Sequence, residues 1–271
     1  MINKLVFFGC SITAGNELYE EAHVPNYNKM SLMEARKASS HLDEKDILAY
    51  QNKHSFPFLT ASKLGVNFEN CAISGISNIE IASRAITHFP NSYYENVMAV
   101  VQITTHNRLF VKYKESNDKK IAGSFIVHPQ VDNDKLTKRQ NNILKENFLE
   151  FYEESLQIYT DQTFLFFAMQ NLIKKNIPTF LIYGSKDMAF WPEWGGGEGP
   201  EKIKFHNDKD PQFMYKLFNC YADMWNSYDI LKCSLDSLVP ANSHLPRYHY
   251  NHVAHDIIAN NLAEAIKCST G

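Results

Sequence analysis

Ser11 closes a short apolar run, Leu5-Val-Phe-Phe-Gly-Cys-Ser-Ile-Thr-Ala-Gly15, and is the candidate nucleophile. Residues 4–8 are too few for a helix, are rich in β-branched and aromatic side chains, and show no period-2 alternation. That is the pattern of a strand buried on both faces of a parallel sheet. In open α/β sheets ligands bind beyond the carboxyl ends of the strands, where a serine directly after such a strand sits. The plainer alternative is that Ser11 or Thr13 caps a following helix. Two further strand ends carry residues that acyl transfer could use, Gly75 after the second and Asn107 after the third. Near the C-terminus, His249-Tyr-Asn-His-Val-Ala-His255 precedes the last helix and puts an imidazole on a loop. The set offers a hydroxyl to attack, a base to take its proton, and donors for a developing oxyanion.

The elements that must position these residues follow from periodicity. Residues 55–65 have helical spacing, with Pro57 suited to a first turn and Gly65 to a C-cap. Residues 66–70 alternate as a strand and run into a small-residue turn at 71–78, followed by a helix over 79–88. Val97-Met-Ala-Val-Val-Gln-Ile103 is the most apolar short run and reads as a central parallel strand. Residues 143–175 read as helical, broken near Thr160, with the methionine and aromatic residues in the core. Thr179-Phe-Leu-Ile-Tyr183 is another buried strand, and helices follow over 211–228 and 253–267. Strands alternating with helices imply a parallel sheet covered on both faces.

Two stretches read as insertions in one domain spanning 1–271. Residues 16–52 are polar and lie at the active-site end of the sheet. Residues 111–139 are locally basic, but acids are interleaved and no aromatic stripe accompanies the lysines, which favours a solvated face over an anion-binding arm. The loop Trp191-Pro-Glu-Trp-Gly-Gly-Gly-Glu-Gly-Pro200 follows a parallel strand, so Trp191 and Trp194 are candidates for substrate contact, with a simple surface loop as the alternative.

Composition narrows the function classes. At 271 residues the chain can bury a full core, and no run approaches a membrane span. A net charge of −3 gives no reason to expect nucleic acid. The five cysteines are scattered without C-x-x-C spacing and read as free thiols of a reducing compartment. Phe7-Phe8-Gly9-Cys10 imitates a lipoprotein cleavage site, but the apolar stretch before it is too short for an export signal, so the expected location is the cytoplasm.

These blocks resemble, in order and spacing, those of the SGNH hydrolases, also called GDSL esterases and lipases. Gly9-Cys-Ser-Ile-Thr-Ala-Gly15 is similar to the family's Gly-Asp-Ser-Ile-Thr-x-Gly, and Asn70-Cys-Ala-Ile-Ser-Gly-Ile-Ser-Asn78 to its second block. Thr105-His-Asn-Arg108 resembles a variant of Gly-x-Asn-Asp, and residues 249–255 resemble His-Pro-Asn-x-x-Gly-His. The short helix before the second block and the Ser-Asn-Ile-Glu-Ile run resemble versions encoded by bacteriophages, which would put the protein in a host cytoplasm or a virion. The resemblance implies a three-layer α/β/α, flavodoxin-like fold with about five parallel strands in the order 2-1-3-4-5. It implies Ser11 as nucleophile, His249 as base, and an oxyanion hole from Ser11, Gly75 and Asn107. The activity implied is that of a serine esterase using acyl-enzyme chemistry on a small O-acyl ester of a carbohydrate or similar substrate, with no cofactor or metal.

Three positions depart from the family pattern. Cys10 replaces the aspartate of the first block, Thr105 and Arg108 flank Asn107, and Pro246 stands where the triad aspartate is expected. The expectation is therefore a Ser11–His249 dyad oriented by a neutral acceptor, a carbonyl near Leu245, with Asp236 the nearest upstream carboxylate alternative. Rival readings are Cys10 as the nucleophile, a metal site at His249, His252 and His255, an O-acyltransferase, and a binding or structural protein on a weakened esterase fold. His252 and His255 otherwise read as packing or capping residues of the last helix.

Overall fold

The strand β1 (Lys4–Phe8) shows why its sequence lacks alternation. Leu5 and Phe7 point to one face, Val6 and Phe8 to the other, and none of the four is more than 1% exposed. In the computed structural model the described residues are 2–90, 94–104, 108–114, 120–126, 136–151, 154–184, 229–230, 234–246 and 249–270. With β2 (Asn67–Asn70), β3 (Val97–Ile103), β6 (Thr179–Tyr183) and β7 (Asp229–Ile230), β1 forms a five-stranded sheet in the order β2-β1-β3-β6-β7. Every pairing in it is parallel. Counted within the sheet, this is the expected order 2-1-3-4-5.

One layer of helices, α6 (Asn78–His88) and α8 (Glu154–Lys174), covers the Val6, Phe8 and Val101 face with Ile81, Ala85, Leu165, Met169 and Leu172. The other, α5 (Phe56–Leu64) and α10 (His252–Thr270), covers the Leu5, Phe7 and Val100 face with Phe56, Ala61, Ile258 and Leu262. Local signals start these helices where periodicity begins. The Ser77 hydroxyl accepts from Glu80 N at α6, and Asn251 Oδ1 accepts from Ala254 N at 2.9 Å at α10.

The polar stretch 16–52 is helical. After α1 (Ser11–Ala14) come α2 (Leu18–His23), a 3₁₀ turn (Tyr27–Lys29), α3 (Leu32–Ser39), which opens on a capping box between Ser31 and Glu34, and α4 (Glu44–His54). The basic stretch begins as an antiparallel hairpin, β4 (Arg108–Lys114) with β5 (Lys120–Ile126), separate from the main sheet. Two expectations for 143–175 are corrected. Thr160 lies inside the continuous helix α8, and α7 (Lys138–Phe151) precedes it. Phe164 and Phe167 are exposed, at 43% and 59%, because the buried stripe of α8 runs through Leu165, Ala168, Met169 and Leu172. The expected helix over 211–228 and the loop with Trp191 and Trp194 lie outside the described residues. Among the described residues no helix is long and apolar enough to cross a membrane.

Phe7 is fully buried and packs edge-on against Phe56, ring centres 6.1 Å apart. Phe7→Ala is expected to cost about 3–5 kcal/mol in urea unfolding, and Phe167→Ala on the exposed side of α8 no more than about 0.5 kcal/mol.

Candidate active site

Ser11 is the first residue of α1, three positions beyond the last residue of β1. Its backbone N–H belongs to a first helical turn, where no carbonyl of the helix accepts it. The approach depends on Gly9. A Cβ there would fall 2.8 Å from Gln102 Oε1 and closer still to the Thr13 hydroxyl. That space lets Thr13 Oγ1 donate to Gln102 Oε1, and Cys10 Sγ donates to the same oxygen at 3.6 Å. Cys10 thus points into the core, 1% exposed, while its neighbour Ser11 is 5% exposed at the strand end.

The turn after β2 is held against this first block. Cys71 N donates to Phe7 O at 2.8 Å and Ile73 N to Gly9 O at 3.1 Å. Asn70 Nδ2 reaches Thr13 O and Asn16 Nδ2 reaches Ser74 Oγ, each at 3.0 Å. Gly75 has φ of 82°, a left-handed backbone that favours glycine. Behind the turn, Asn78 is fully buried and clamps the end of β3. Its Nδ2 donates to Thr104 O (2.9 Å) and Asp161 Oδ2 (2.8 Å), and its Oδ1 accepts from Thr104 N (2.8 Å). Arg108 Nη1 donates to Ile76 O at 3.2 Å, which gives that departure from the family pattern a local role. Asn107 lies outside the described residues, between these two anchored flanks.

His249 meets a carboxylate, and this corrects the expected dyad. Glu17 Oε2 lies 2.7 Å from His249 Nδ1 and also accepts the His249 backbone N–H at 3.3 Å. An ionised carboxylate can only accept, so the ring proton sits on Nδ1 and Nε2 is left as the basic nitrogen. The other oxygen, Oε1, accepts the Tyr27 hydroxyl at 2.7 Å. Burial first, and then this bond to Glu17, raises the Tyr27 pKa above its ordinary value and keeps it a donor. Glu17 is held with φ of 70° at the start of α2, and its side chain has no exposed surface. A left-handed residue that is not glycine costs on the order of 1–3 kcal/mol, which the surrounding structure must offset.

Neither expected partner takes this place. Leu245 donates its own N–H to His249 O at 2.7 Å, and Asp236, in α9 (Leu235–Leu238), accepts from the Tyr250 hydroxyl at 2.5 Å. Glu17 escaped the sequence reading because it lies 232 positions from His249 among other acids of a polar stretch. The available signal was Glu17 and Glu21, four apart, facing the three-residue spacing of His249 and His252. Glu21 Oε2 accepts from His252 Nδ1 (2.6 Å) and N (2.9 Å), repeating the clamp, but Tyr50 OH occupies His252 Nε2 at 3.0 Å. His255 is fully buried, its Nδ1 accepting from Phe56 N at 2.9 Å, and burial lowers its pKa to about 3. The three histidines therefore serve three separate partners and do not converge on one ion.

No known family profile and no curated protein matches the chain. Solved structures do. A carbohydrate esterase family 2 enzyme from Corynascus thermopiles aligns over 99% of this chain and 67% of its own, at 11% identity and a TM-score of 0.50. The psychrotrophic esterase EstA from a Pseudoalteromonas species aligns over 99% and 98%, at 11% identity and a TM-score of 0.44. A protein of the G-D-S-L family from Desulfitobacterium hafniense aligns over 97% and 99%, at 10% identity and a TM-score of 0.44. With the strand order and the two helical layers, the chain has the three-layer α/β/α fold of the SGNH hydrolases.

Proposed function

We propose that the protein is a serine ester hydrolase acting through an acyl-enzyme on a small O-acyl ester of a carbohydrate or similar substrate. The observation that carries this reading is the Glu17–His249 pair. It supplies the oriented base that Pro246 had left in question, with Glu17 six residues after Ser11, whose carbonyl accepts Asn16 N at 3.1 Å. It also supplies an acid where the missing aspartate had favoured a catalytically weakened binding protein. The carbohydrate part of the reading takes its support from the likeness to a carbohydrate esterase family 2 enzyme.

In this mechanism Ser11 Oγ attacks the ester carbonyl while His249 Nε2 takes the hydroxyl proton. Glu17 holds the Nδ1–H tautomer and stabilises the imidazolium as it forms. Ser11 N, Gly75 N and the Asn107 amide are the donors assigned to the oxyanion, and the imidazolium then protonates the departing alcohol. Water attacks the acyl-enzyme with His249 again as base and releases the acid. A sugar hydroxyl in place of that water would make the product a new ester, so acetyl transfer to added sugars distinguishes transferase from hydrolase.

A fluorophosphonate probe is expected to label Ser11, and Ser11→Ala to lose both labelling and turnover of an aryl acetate; equal labelling of the variant would assign the nucleophile elsewhere. Glu17→Gln keeps the volume but disturbs the tautomer, and is expected to lower kcat by about 10³- to 10⁴-fold, whereas Asp236→Asn changes it only a few-fold. A large loss in Asp236→Asn with little in Glu17→Gln would reverse that assignment. Asn107→Ala is expected to lower kcat by about 100- to 1000-fold with little change in melting temperature, full activity reducing Asn107 to a turn residue.

A further inference from the structure

The end of β2 brings three different donor types together outside the site just described. Cys71 Sγ lies 3.7 Å from Glu69 Oε1 and 3.7 Å from His88 Nδ1, and His88 Nε2 lies 3.5 Å from Glu69 Oε2. One donor atom from each residue is within 4.8 Å of the other two. With zinc bond lengths, a sulfur, a nitrogen and an oxygen on one tetrahedral ion sit about 3.3–3.6 Å apart, so small side-chain rotations from the 4.8 Å limit found here would close the set on an ion. The group borders a cavity of about 350 Å³ lined by Phe8, Asn70, Cys71, Ile73, Arg84 and His88. All three residues are partly buried, so the ion would be shielded yet reachable.

The two neighbouring cations, Lys4 and Arg84, each have a carboxylate partner. Lys4 Nζ binds Glu69 Oε2 at 2.6 Å, while Oε1 is turned to the Cys71 sulfur. Arg84 is held by Glu80 Oε1 at 3.3 Å.

We propose that Glu69, Cys71 and His88 form a binding site for a divalent transition metal of the zinc class, with three protein ligands and a fourth position opening into the cavity. On binding, the Cys71 S–H bond breaks, its proton leaves to solvent, and the sulfur pair forms the bond to the metal. His88 and Glu69 give lone pairs without losing a proton. The ion would tie β2 to the last turn of α6 and brace the turn that carries Gly75. This goes beyond the esterase reading and does not rest on it.

The test is a titration of the reduced full-length protein with cobalt(II) chloride. The expected result is a thiolate-to-cobalt absorption band saturating at one equivalent, with the intense visible bands of four-coordinate cobalt. The band should vanish in Cys71→Ser and persist in Cys10→Ser and Cys268→Ser. Affinity in His88→Gln and Glu69→Gln should fall by more than the roughly 10- to 100-fold that loss of an outer-shell partner costs. Zinc should raise the melting temperature of the parent and not of Cys71→Ser. No band in the parent at micromolar free cobalt, or an undiminished band in Cys71→Ser, would overturn the site. No ester is present, so a failure here leaves the esterase reading untouched, and the parent protein decides the matter even if a variant fails to fold.

Discussion

A carboxylate with no exposed side-chain surface has to find its donors inside the protein, because the desolvation of such a charge is worth several kcal/mol. Those of Glu17 include the Tyr27 hydroxyl, His249 Nδ1 and the His249 backbone N–H. These come from two segments far apart in the chain. Tyr27 in turn packs with Ala35 and Leu245, so the small core under the 16–52 helices rests on the same residue that satisfies the charge. Removing the carboxylate would disturb the base, the entry to α2 and the seating of the C-terminal loop together. The helical insertion is therefore part of the site.

The sheet imposes the complementary constraint. Its central strands are apolar on both faces, so polar chemistry is confined to the strand ends. Gln102 is the exception that serves this arrangement. It is fully buried within β3, and its Oε1 gathers Thr13 and Cys10 from the first block. Cys10 thereby holds the position of an aspartate as a buried donor to a glutamine. Asn78 plays the matching part between the second block and the end of β3. Two buried amides thus register three strand ends on one another, where apolar packing alone would not distinguish neighbouring registers.

Much of this was legible in the sequence, and the reasons are local. β1, β3 and β6 are short runs of large apolar residues, and only a doubly covered strand buries every side chain. Pro57 and Gly65 mark α5 by backbone geometry that few other residues share. Ser11 and Gly75 stand out because strand ends leave few positions for such chemistry. Glu17 was not legible, since its meaning depends on a partner 232 positions away and nothing local separates a buried acid from solvated ones. The hairpin of β4 and β5 was hidden by its charges, and the exposure of Phe164 and Phe167 by the habit of counting aromatic residues as core.

The clamp of Glu21 on His252 shows what is particular to the proposed catalytic clamp. In both, one carboxylate oxygen takes a ring Nδ1 and the backbone N–H of the same residue, so both imidazoles are held in the same tautomer. Orientation by an acid is therefore shared and cannot by itself mark a base. The difference lies at the far nitrogen. At His252 it accepts the Tyr50 hydroxyl, whose pKa burial and the Glu21 charge raise, so the lone pair is committed to a donor that does not give up its proton. At His249 no described residue takes that position, and the ring keeps 14% of its side-chain surface open. A general base needs one nitrogen fixed and the other open, and of the two clamped rings His249 is the one whose far nitrogen takes no partner among the described residues, as its proposed role requires.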